Sequence, residues 1–378
     1  MTAVAGAWSA RLETRHSPSI ALSQTPSDSK GTTMSFTRLR KVILALVCLS
    51  VLAGSAALAQ KKGGGGSTPT PAPGTIYFLN WSGAGLGWKM NGDGSGKAQT
   101  IEGQPSYQRH GGSRWFLQNQ YGDDILGDWG QWFAVDENGG TVQLTNDPDL
   151  RTNGYPPSWA KDDSFFSYAG VYETEEEWIG RLFVVEIDWL EDVPVAGPPT
   201  IVFEIRRSVF DEWGEWSYEG YDEVNLGSHD WSPLADEAVL TRWVWGEGWV
   251  LDIVRFSDEG LEIRSLVSRA AKPVWSPDGG RIAFNREERS GYQEIQEIWT
   301  IRPDGSDAVR LTEYVSSKNG ERGQLLPTWS PDGAYLAYTE RVVSGNKTTH
   351  DILRVPAGGG TPTSLTGDGK SSWPRWRP

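Results

Sequence analysis

The chain has 378 residues, of which 22% are charged and 38% hydrophobic, and its formal net charge at pH 7 is −14. A surface this negative repels phosphate backbones and anionic lipid headgroups, which argues against a nucleic-acid partner. A single cysteine, Cys48, excludes an intrachain disulfide framework and a zinc site built on several cysteines. The 20 tryptophans and 45 glycines favour many short strands and turns over long helices.

The first recognisable element in chain order is an export signal. Residues 38–41 read Arg-Leu-Arg-Lys, residues 42–54 form an apolar run, and residues 57–59 read Ala-Leu-Ala. A basic start, a short apolar core and a small-x-small cleavage site are typical of a secretory signal peptide. The apolar run is too short for a comfortable membrane span.

These features divide the N-terminal part of the chain into three segments. We predict an upstream extension over residues 1–33, a signal peptide over 34–59 that begins at Met34, and a flexible Gly/Pro-rich linker over 60–73. The mature protein is therefore expected in the periplasm or outside the cell, with no membrane span after cleavage.

Near-copies of one motif recur in the remaining sequence. Residues 273–284 and 327–338 both begin Pro-x-Trp-Ser-Pro-Asp-Gly and continue into an apolar strand, a second strand and a hairpin that ends in Leu-Thr. Weaker copies lie at 105–117, 157–168 and 230–240. In the Ser-Pro-Asp-Gly turn, Pro presets φ, Asp bonds backbone donors and Gly tolerates the left-handed conformation.

A sixth copy is split between the two ends of the chain. Residues 373–378, Trp-Pro-Arg-Trp-Arg-Pro, run into residues 74–78, Gly-Thr-Ile-Tyr-Phe, to complete the same motif. The spacing of the copies suits four-stranded blades with extra length in loops. We predict an all-β fold over residues 74–378: a six-bladed β-propeller of four-stranded antiparallel blades, closed by pairing of the N- and C-terminal strands. The structural residues of the repeat are Trp159, Trp231, Trp275, Asp278, Gly279, Trp329, Asp332, Gly333 and Trp376.

This repeat resembles that of the TolB-like propellers, whose blades are of a WD-repeat-like type. Residues 275–279 and 329–333 match the family motif fully, and 159–163 and 231–233 match it in part. The resemblance implies a periplasmic or cell-surface binding scaffold. Only the 60–73 linker separates the predicted cleavage site from the first strand, so we expect no counterpart of the α/β domain that precedes the propeller in the Tol-system protein.

The sequence carries no recognisable catalytic motif. There is no Gly-x-Ser-x-Gly elbow, and His110, His229 and His350 fall in separate predicted blades without metal-ligand spacing. Side chains from different blades could still converge on the propeller axis. We expect no catalytic residue, no metal site and no cofactor.

Tryptophans outside the blade motif are the candidate binding residues. Trp213 and Trp216 stand among glycine and acidic residues, and Trp129 and Trp132 occur in the second predicted blade. Exposed Trp beside acids would suit a carbohydrate, or a cationic or peptide ligand. Packing between blades is the other role considered for these side chains.

Two functions fit the sequence. The first is an exported, non-enzymatic binding or assembly scaffold, expected as a monomer, that recognises an envelope or extracellular protein, or a glycan, on a propeller face. The alternative is a secreted hydrolase or lyase that acts on a saccharide with carboxylates at the axial pocket. Several acids and a base converging on the axis would favour the enzyme, whereas a broad loop face would favour the scaffold.

Overall fold

The computed structural model describes the greater part of the chain from residue 72 onward. The described residues are 72–81, 86–100, 115–121, 130–136, 139–146, 151–152, 157–160, 162–210, 224, 226–257, 260–290, 293–313, 315–317 and 320–378. The predicted extension and signal peptide, and the linker up to residue 71, lie outside them. Within the described residues, no helix has the length and apolar character needed to cross a membrane.

Six antiparallel sheets form six blades, numbered here in chain order. Blade 1 contains β1 (Thr75–Asn80), β2 (Leu86–Asn91), β3 (Ala98–Gln99) and the last strand, β26 (Ser371–Arg377). Blade 2 contains β4 (Trp115–Tyr121), β5 (Gly130–Asp136) and β6 (Thr141–Gln143). Blade 3 contains β7 (Arg151–Thr152), β8 (Ser158–Trp159), β9 (Phe165–Glu173), β10 (Glu177–Leu190), β11 (Val193–Ala196) and β12 (Thr200–Ser208).

The second half of the chain is more regular. Blade 4 contains β13 (Leu226–Trp231), β14 (Glu237–Val244), β15 (Gly248–Ser257) and β16 (Gly260–Ser268). Blade 5 contains β17 (Ala270–Trp275), β18 (Ile282–Ser290), β19 (Gln293–Ile301) and β20 (Val309–Arg310). Blade 6 contains β21 (Val315–Ser317), β22 (Gly320–Trp329), β23 (Tyr335–Ser344), β24 (Lys347–Pro356) and β25 (Thr363–Ser364).

The predicted six-bladed, all-β architecture is confirmed, including its closure. β26 pairs antiparallel with β1, with Trp376 opposite Ile76 and Arg377 opposite Thr75. The indole Nε1 of Trp376 donates to the carbonyl oxygen of Pro73 at 2.9 Å. The last strand of the chain therefore completes the blade that the first strand begins.

Blade 3 explains the longest spacing between motif copies. The long strand β10 has two partners on its outer side. β11 pairs with residues 187–190 of β10, and β12 pairs with residues 177–184. On the inner side, β7 and β8 both pair with β9. The blade thus keeps four strand positions, and the additional residues double the first and the last of them.

The core consists of apolar layers between neighbouring blades. One layer joins β14 and β15 to β17, β18 and β19 and contains Val239, Trp275 and Phe284. A second joins blade 6 to blade 1 and contains Ile352 and Trp376. Since each blade is covered on both faces, successive residues of a middle strand can be buried, as at Ile282, Ala283 and Phe284 of β18.

The Ser-Pro-Asp-Gly turns are held by the aspartate that recurs in them. Asp278 Oδ1 accepts hydrogen bonds from Ser276 Oγ at 2.6 Å and from the Gly280 amide at 3.0 Å. These bonds lower the pKa of Asp278 below its ordinary value. Asp332 makes the equivalent pair of bonds in blade 6, and Gly279 has a φ of 67°. Both bonds of each aspartate are local to its turn.

Candidate axial site

Strands β8, β13, β17 and β22 of blades 3 to 6 and β26 of blade 1 meet around the axis of the propeller and are called the axial strands here. β13 contacts β8 and β17, β17 contacts β22, and β22 contacts β26. A cavity of about 70 Å³ lies among them, with walls from β8, β13, β17, β22 and β26. The first-strand copy predicted at 105–117 for blade 2 lies mostly outside the described residues.

β-Bulges interrupt β13, β17, β22 and β26 at the level of the cavity, and those in β17, β22 and β26 share one position relative to the motif tryptophan. In β17, Lys272 and Pro273 together face one residue of β18, because the pairing steps from Ala271 opposite Asn285 to Val274 opposite Ala283. The same two-against-one step occurs in β22 and β26. Bulges turn side chains away from the regular pleat and are frequent next to functional sites.

The bulges of β17, β22 and β26 each begin with a non-glycine residue in the left-handed region that stands directly before a proline. The φ angles are 54° for Lys272, 57° for Leu326 and 59° for Trp373, and all three residues line the cavity. A non-glycine residue held in this region costs about 1–3 kcal/mol and persists where the surrounding structure enforces it. Each stands three residues before a motif tryptophan, so the repeat itself places it on the axis.

Side chains of the preceding blade hold the bulges in place. The backbone amide of Leu326 donates to Asn285 Oδ1 at 2.9 Å, and that of Trp373 donates to Thr339 Oγ1 at 3.1 Å. Asn285 lies in β18 and Thr339 in β23, the strands that follow the axial strands β17 and β22 in blades 5 and 6. The strained residues are therefore fixed by contacts that repeat with the blades.

Three cationic side chains line the cavity. Lys272 comes from blade 5, and Arg375 and Arg377 come from the strand that closes the ring. Burial, and after it the neighbouring Arg375, lower the pKa of Lys272 from 10.5 to about 8, while the attraction of Glu287 opposes both effects. Burial also lowers the pKa of Arg377, against the attraction of Asp230. The axis thus concentrates positive charge in a chain whose net charge is −14.

Asp230 is the one carboxylate among the described residues of the cavity wall, and it joins three blades. It is 6% exposed. Its Oδ1 accepts from Ser158 Oγ of blade 3 at 3.1 Å, and its Oδ2 accepts from the Trp275 amide of blade 5 at 2.8 Å. Several acids and a base at the axis would favour an enzyme, whereas the described wall holds three cations and one acid that links blades.

His229 is buried in the same wall and is neutral at pH 7. Burial lowers its pKa from 6.5 to about 4. Its Nε2 lies 2.7 Å from Ser167 Oγ, which also accepts from Trp231 Nε1 and donates to the Ser158 carbonyl oxygen. Because that hydroxyl has one proton, Nε2 of His229 is assigned as the donor. Its Nδ1 is buried without a hydrogen-bond partner among the described residues.

The other predicted site residues are placed as follows. Trp132 is 2% exposed and lies in the apolar layer between blades 2 and 3, a position that favours packing over ligand contact. Trp129, Trp213 and Trp216 lie outside the described residues. His350 lies in β24, and His110 is outside the described residues. The structure describes no group of three or more His, Cys, Asp or Glu side chains suited to a metal ion.

Sequence reasoning missed the axial cations, although the signal was present. Lys272, Leu326 and Trp373 each stand before the proline that opens a motif copy. The motif begins at that proline, so the residue ahead of it lies outside the pattern. Arg375 and Arg377 were considered only as parts of the closing strand.

Comparisons with known proteins support the fold. No family model matches the chain. The Tol-Pal system protein TolB of Anaeromyxobacter dehalogenans is 33% identical over 106 residues, which are 28% of this chain and 21% of that protein. The chain therefore matches about a fifth of the length of this relative.

Two solved structures share the architecture. TolB from Acinetobacter baumannii superposes with a TM-score of 0.54 at 14% identity, covering 82% of this chain and 68% of that one. A protein described as a TolB from Agrobacterium tumefaciens gives a TM-score of 0.50 at 15% identity, covering 80% and 98%. The fold is that of a TolB-like propeller, as the repeat predicted.

Proposed function

We propose that this TolB-like propeller is an exported, non-enzymatic binding scaffold that recognises a partner at the mouth of its axis. The observation that carries the proposal is the convergence of Lys272, Arg375 and Arg377 on one cavity in a strongly acidic chain. A concave site rich in cations attracts groups of the opposite sign. Binding energy of this kind requires no chemistry at the site.

The magnitudes favour recognition. A unit charge about 4 Å from an anion contributes about 4 kcal/mol at an effective dielectric constant of about 20, before desolvation is subtracted. A buried cation of this wall can therefore contribute to the recognition of an anionic group. The cavity is small, at about 70 Å³; ligand pockets of drug-sized molecules measure about 300–1,000 Å³.

The cellular setting is part of the proposal. The signal-like pattern at residues 34–59 supports export. The relative from A. dehalogenans is named a Tol-Pal system protein, and this supports an envelope protein as the partner. The whole relative is about five times longer than the matched stretch, so its role enters here as a proposal only.

The proposal is tested with the full chain, tagged within the linker at residues 60–73. We expect the tagged protein in the periplasmic or secreted fraction with Gln60 as its first residue. We expect it to capture an envelope protein that Arg377→Gln fails to capture and that Arg302→Gln retains. Arg302 is an exposed arginine of blade 5 whose Nε lies 3.4 Å from Asp307 Oδ2, so it controls for the substitution itself.

Two results would overturn this proposal. One is a chain that stays in the cytoplasm with its first 59 residues intact. The other is equal capture by the wild-type chain and by Arg377→Gln, since the axial cations would then contribute nothing to recognition.

A further inference from the structure

The outer hairpin of blade 3 carries an exposed surface that the axial site does not use. Residues 187–190 of β10 pair with β11 and form a two-stranded ribbon beyond the end of β12. We propose that one face of this ribbon is a docking surface for a basic, partly apolar segment of a partner protein. This surface, called the ribbon face here, consists of Glu186, Asp188, Leu190, Val193 and Val195. It is separate from the axial cavity, so the inference goes beyond the proposed function.

The pairing register places these five side chains on the same face. Val193 lies opposite Leu190, and Val195 lies opposite Asp188. Since successive residues of a strand point to opposite faces, Glu186 shares this face with Asp188 and Leu190. The exposed fractions are 68% for Leu190, 37% for Val193 and 47% for Val195. Contiguous exposed apolar side chains rimmed by polar ones mark interaction sites, whereas single ones need no explanation.

The opposite face of the ribbon is anchored to the propeller. Ile187 and Trp189 pack in the apolar layer between blades 2 and 3. The indole Nε1 of Trp189 donates to the Asp163 carbonyl oxygen at 3.1 Å. Trp115 of blade 2 holds the turn in the same way, through the Asp192 carbonyl oxygen at 2.6 Å. The ribbon face is therefore already ordered, which reduces the cost of binding a partner.

The charge of the ribbon face defines the chemistry of the partner. Residues 182–205 contain no Lys or Arg. The carboxylates of Glu186, Asp188 and Glu191 make no ion pair with the described residues. They can pair with cations of a partner without first giving up a contact within this chain. Lysine and arginine suit such a surface because their apolar stems cover side chains such as Leu190 while their charged ends reach the acids.

The same features disfavour the other candidates for this surface. A second copy would place the ribbon face against its own acids in a two-fold contact. A membrane rich in anionic lipid would be repelled. An added β-strand is disfavoured because β11 is an outermost strand among those described and Pro194, which has no amide hydrogen, interrupts its free edge. A basic segment that lies across the face meets none of these obstacles.

The test uses the full chain and a capped, fluorescein-labelled peptide of sequence Lys-Val-Lys-Leu-Lys-Val-Lys as the probe. Binding is measured by fluorescence anisotropy at constant ionic strength. We expect saturable binding of this Lys peptide to the wild type. Replacing the Val and Leu residues of the peptide by Ser, or its Lys residues by Glu, should weaken binding about tenfold or more, because each peptide then lacks one of the two features that complement the face.

Matched variants locate the binding on the ribbon face. Asp188→Lys should weaken binding of the Lys peptide about tenfold and strengthen binding of the Glu peptide. Glu247→Lys, at an exposed position in the β14–β15 hairpin, makes the same change in net charge and should bind like the wild type. Val195→Thr should weaken binding about threefold or more, whereas Ile201→Thr, at a side chain 46% exposed in β12, should leave it unchanged. The Tm of each variant confirms that it folds.

The inference is overturned if the Lys peptide shows no saturable binding, or if Asp188→Lys and Glu247→Lys bind it equally. It is also overturned by self-association of the wild type, measured by sedimentation velocity, or by binding to phosphatidylglycerol vesicles, if Leu190→Thr abolishes either one. The surface would then serve a second copy or a membrane. Arg377→Gln should bind the Lys peptide like the wild type, so failure of the ribbon face is distinguishable from failure of the axial site.

Discussion

Replacing Lys272 by Met should stabilise the protein, which is unusual for a substitution inside a propeller. Lys272 lines the axial cavity, and its burial together with Arg375 lowers its pKa from 10.5 to about 8. Methionine keeps an unbranched stem of similar length and tolerates the same backbone, while it removes the charge. The neutral side chain loses no favourable hydration when it is buried.

The magnitude follows from the difference between the two pKa values. A gap of about 2.5 units corresponds to about 3 kcal/mol, since each unit is worth 1.36 kcal/mol. Below pH 8 the lysine is charged in both the folded and the unfolded state, so the full penalty applies. Between pH 8 and 10.5 the folded state is neutral while the unfolded state still binds the proton, and the penalty disappears as the pH rises.

The assay is urea unfolding of the wild type, Lys272→Met and Lys347→Met at pH 7 and at pH 11. Lys347 is exposed at the tip of the β23–β24 hairpin and serves as the control. We expect Lys272→Met to be more stable than the wild type by about 1–3 kcal/mol at pH 7 and by much less at pH 11. A less stable Lys272→Met, or a difference that is the same at both pH values, would refute the reasoning.

Three further predictions concern the turns, the core and His229. Asp278→Ala removes the two hydrogen bonds that the carboxylate accepts within its turn and should lower the free energy of urea unfolding by about 1–3 kcal/mol. Unchanged stability would contradict the structural role. Trp275→Ala, at a side chain 2% exposed, should cost about 3–5 kcal/mol in urea unfolding. Trp245→Ala, at a side chain 66% exposed, should stay within about 0.5 kcal/mol; similar costs for the two would be inconsistent with the described core. The pKa of His229 is lowered to about 4 in the folded protein, so as the pH falls the unfolded chain binds the proton before the folded protein does. The free energy of unfolding should therefore decrease as the pH is lowered from 6.5 to 4. His229→Gln should flatten that part of the stability profile measured by Tm, and an unchanged profile would contradict the burial argument.

The sequence was sufficient for the architecture because the repeat is carried by turns and buried strands, which are local features. The Trp-Ser-Pro-Asp-Gly copies at 275–279 and 329–333 have their turns where the pattern predicted them. The split sixth copy predicted the pairing of β1 with β26. The outer doubling of blade 3 could not be predicted, because it depends on β10 continuing beyond its first partner.

One recurring contact was only partly recognised. The Leu-Thr ending was noted at Leu311-Thr312 and Leu365-Thr366, and a third copy is Leu144-Thr145. In all three, the threonine Oγ1 accepts a hydrogen bond from a backbone amide at 2.8–2.9 Å. The donors are the amides of Trp132 in β5, Ile298 in β19 and Ile352 in β24. The copy in blade 2 was not predicted because the motif that precedes it, at residues 105–117, is weak.

The axial site could not be predicted because it depends on ring geometry. Lys272 and Arg377 are more than 100 residues apart in the sequence and meet only because blades 5, 6 and 1 are neighbours around the axis. Left-handed φ at Lys272, Leu326 and Trp373 is also hard to predict, because non-glycine residues seldom adopt it. The candidate tryptophans were inferred from their place outside the motif and from their neighbours in the sequence, which do not distinguish packing between blades from contact with a ligand.

The closing strand β26 completes the ring and brings Arg375 and Arg377 to the axis. Asn80 Nδ2 donates to Ser371 Oγ at 3.1 Å across the β1–β26 pair, so the two side chains already meet. In a Cys48→Ser background, the pair Asn80→Cys and Ser371→Cys is predicted to oxidise to an intrachain disulfide, observed by mass spectrometry of proteolytic fragments. Free thiols under oxidising conditions, or disulfides formed only between chains, would contradict the closure of the ring and the site built on it.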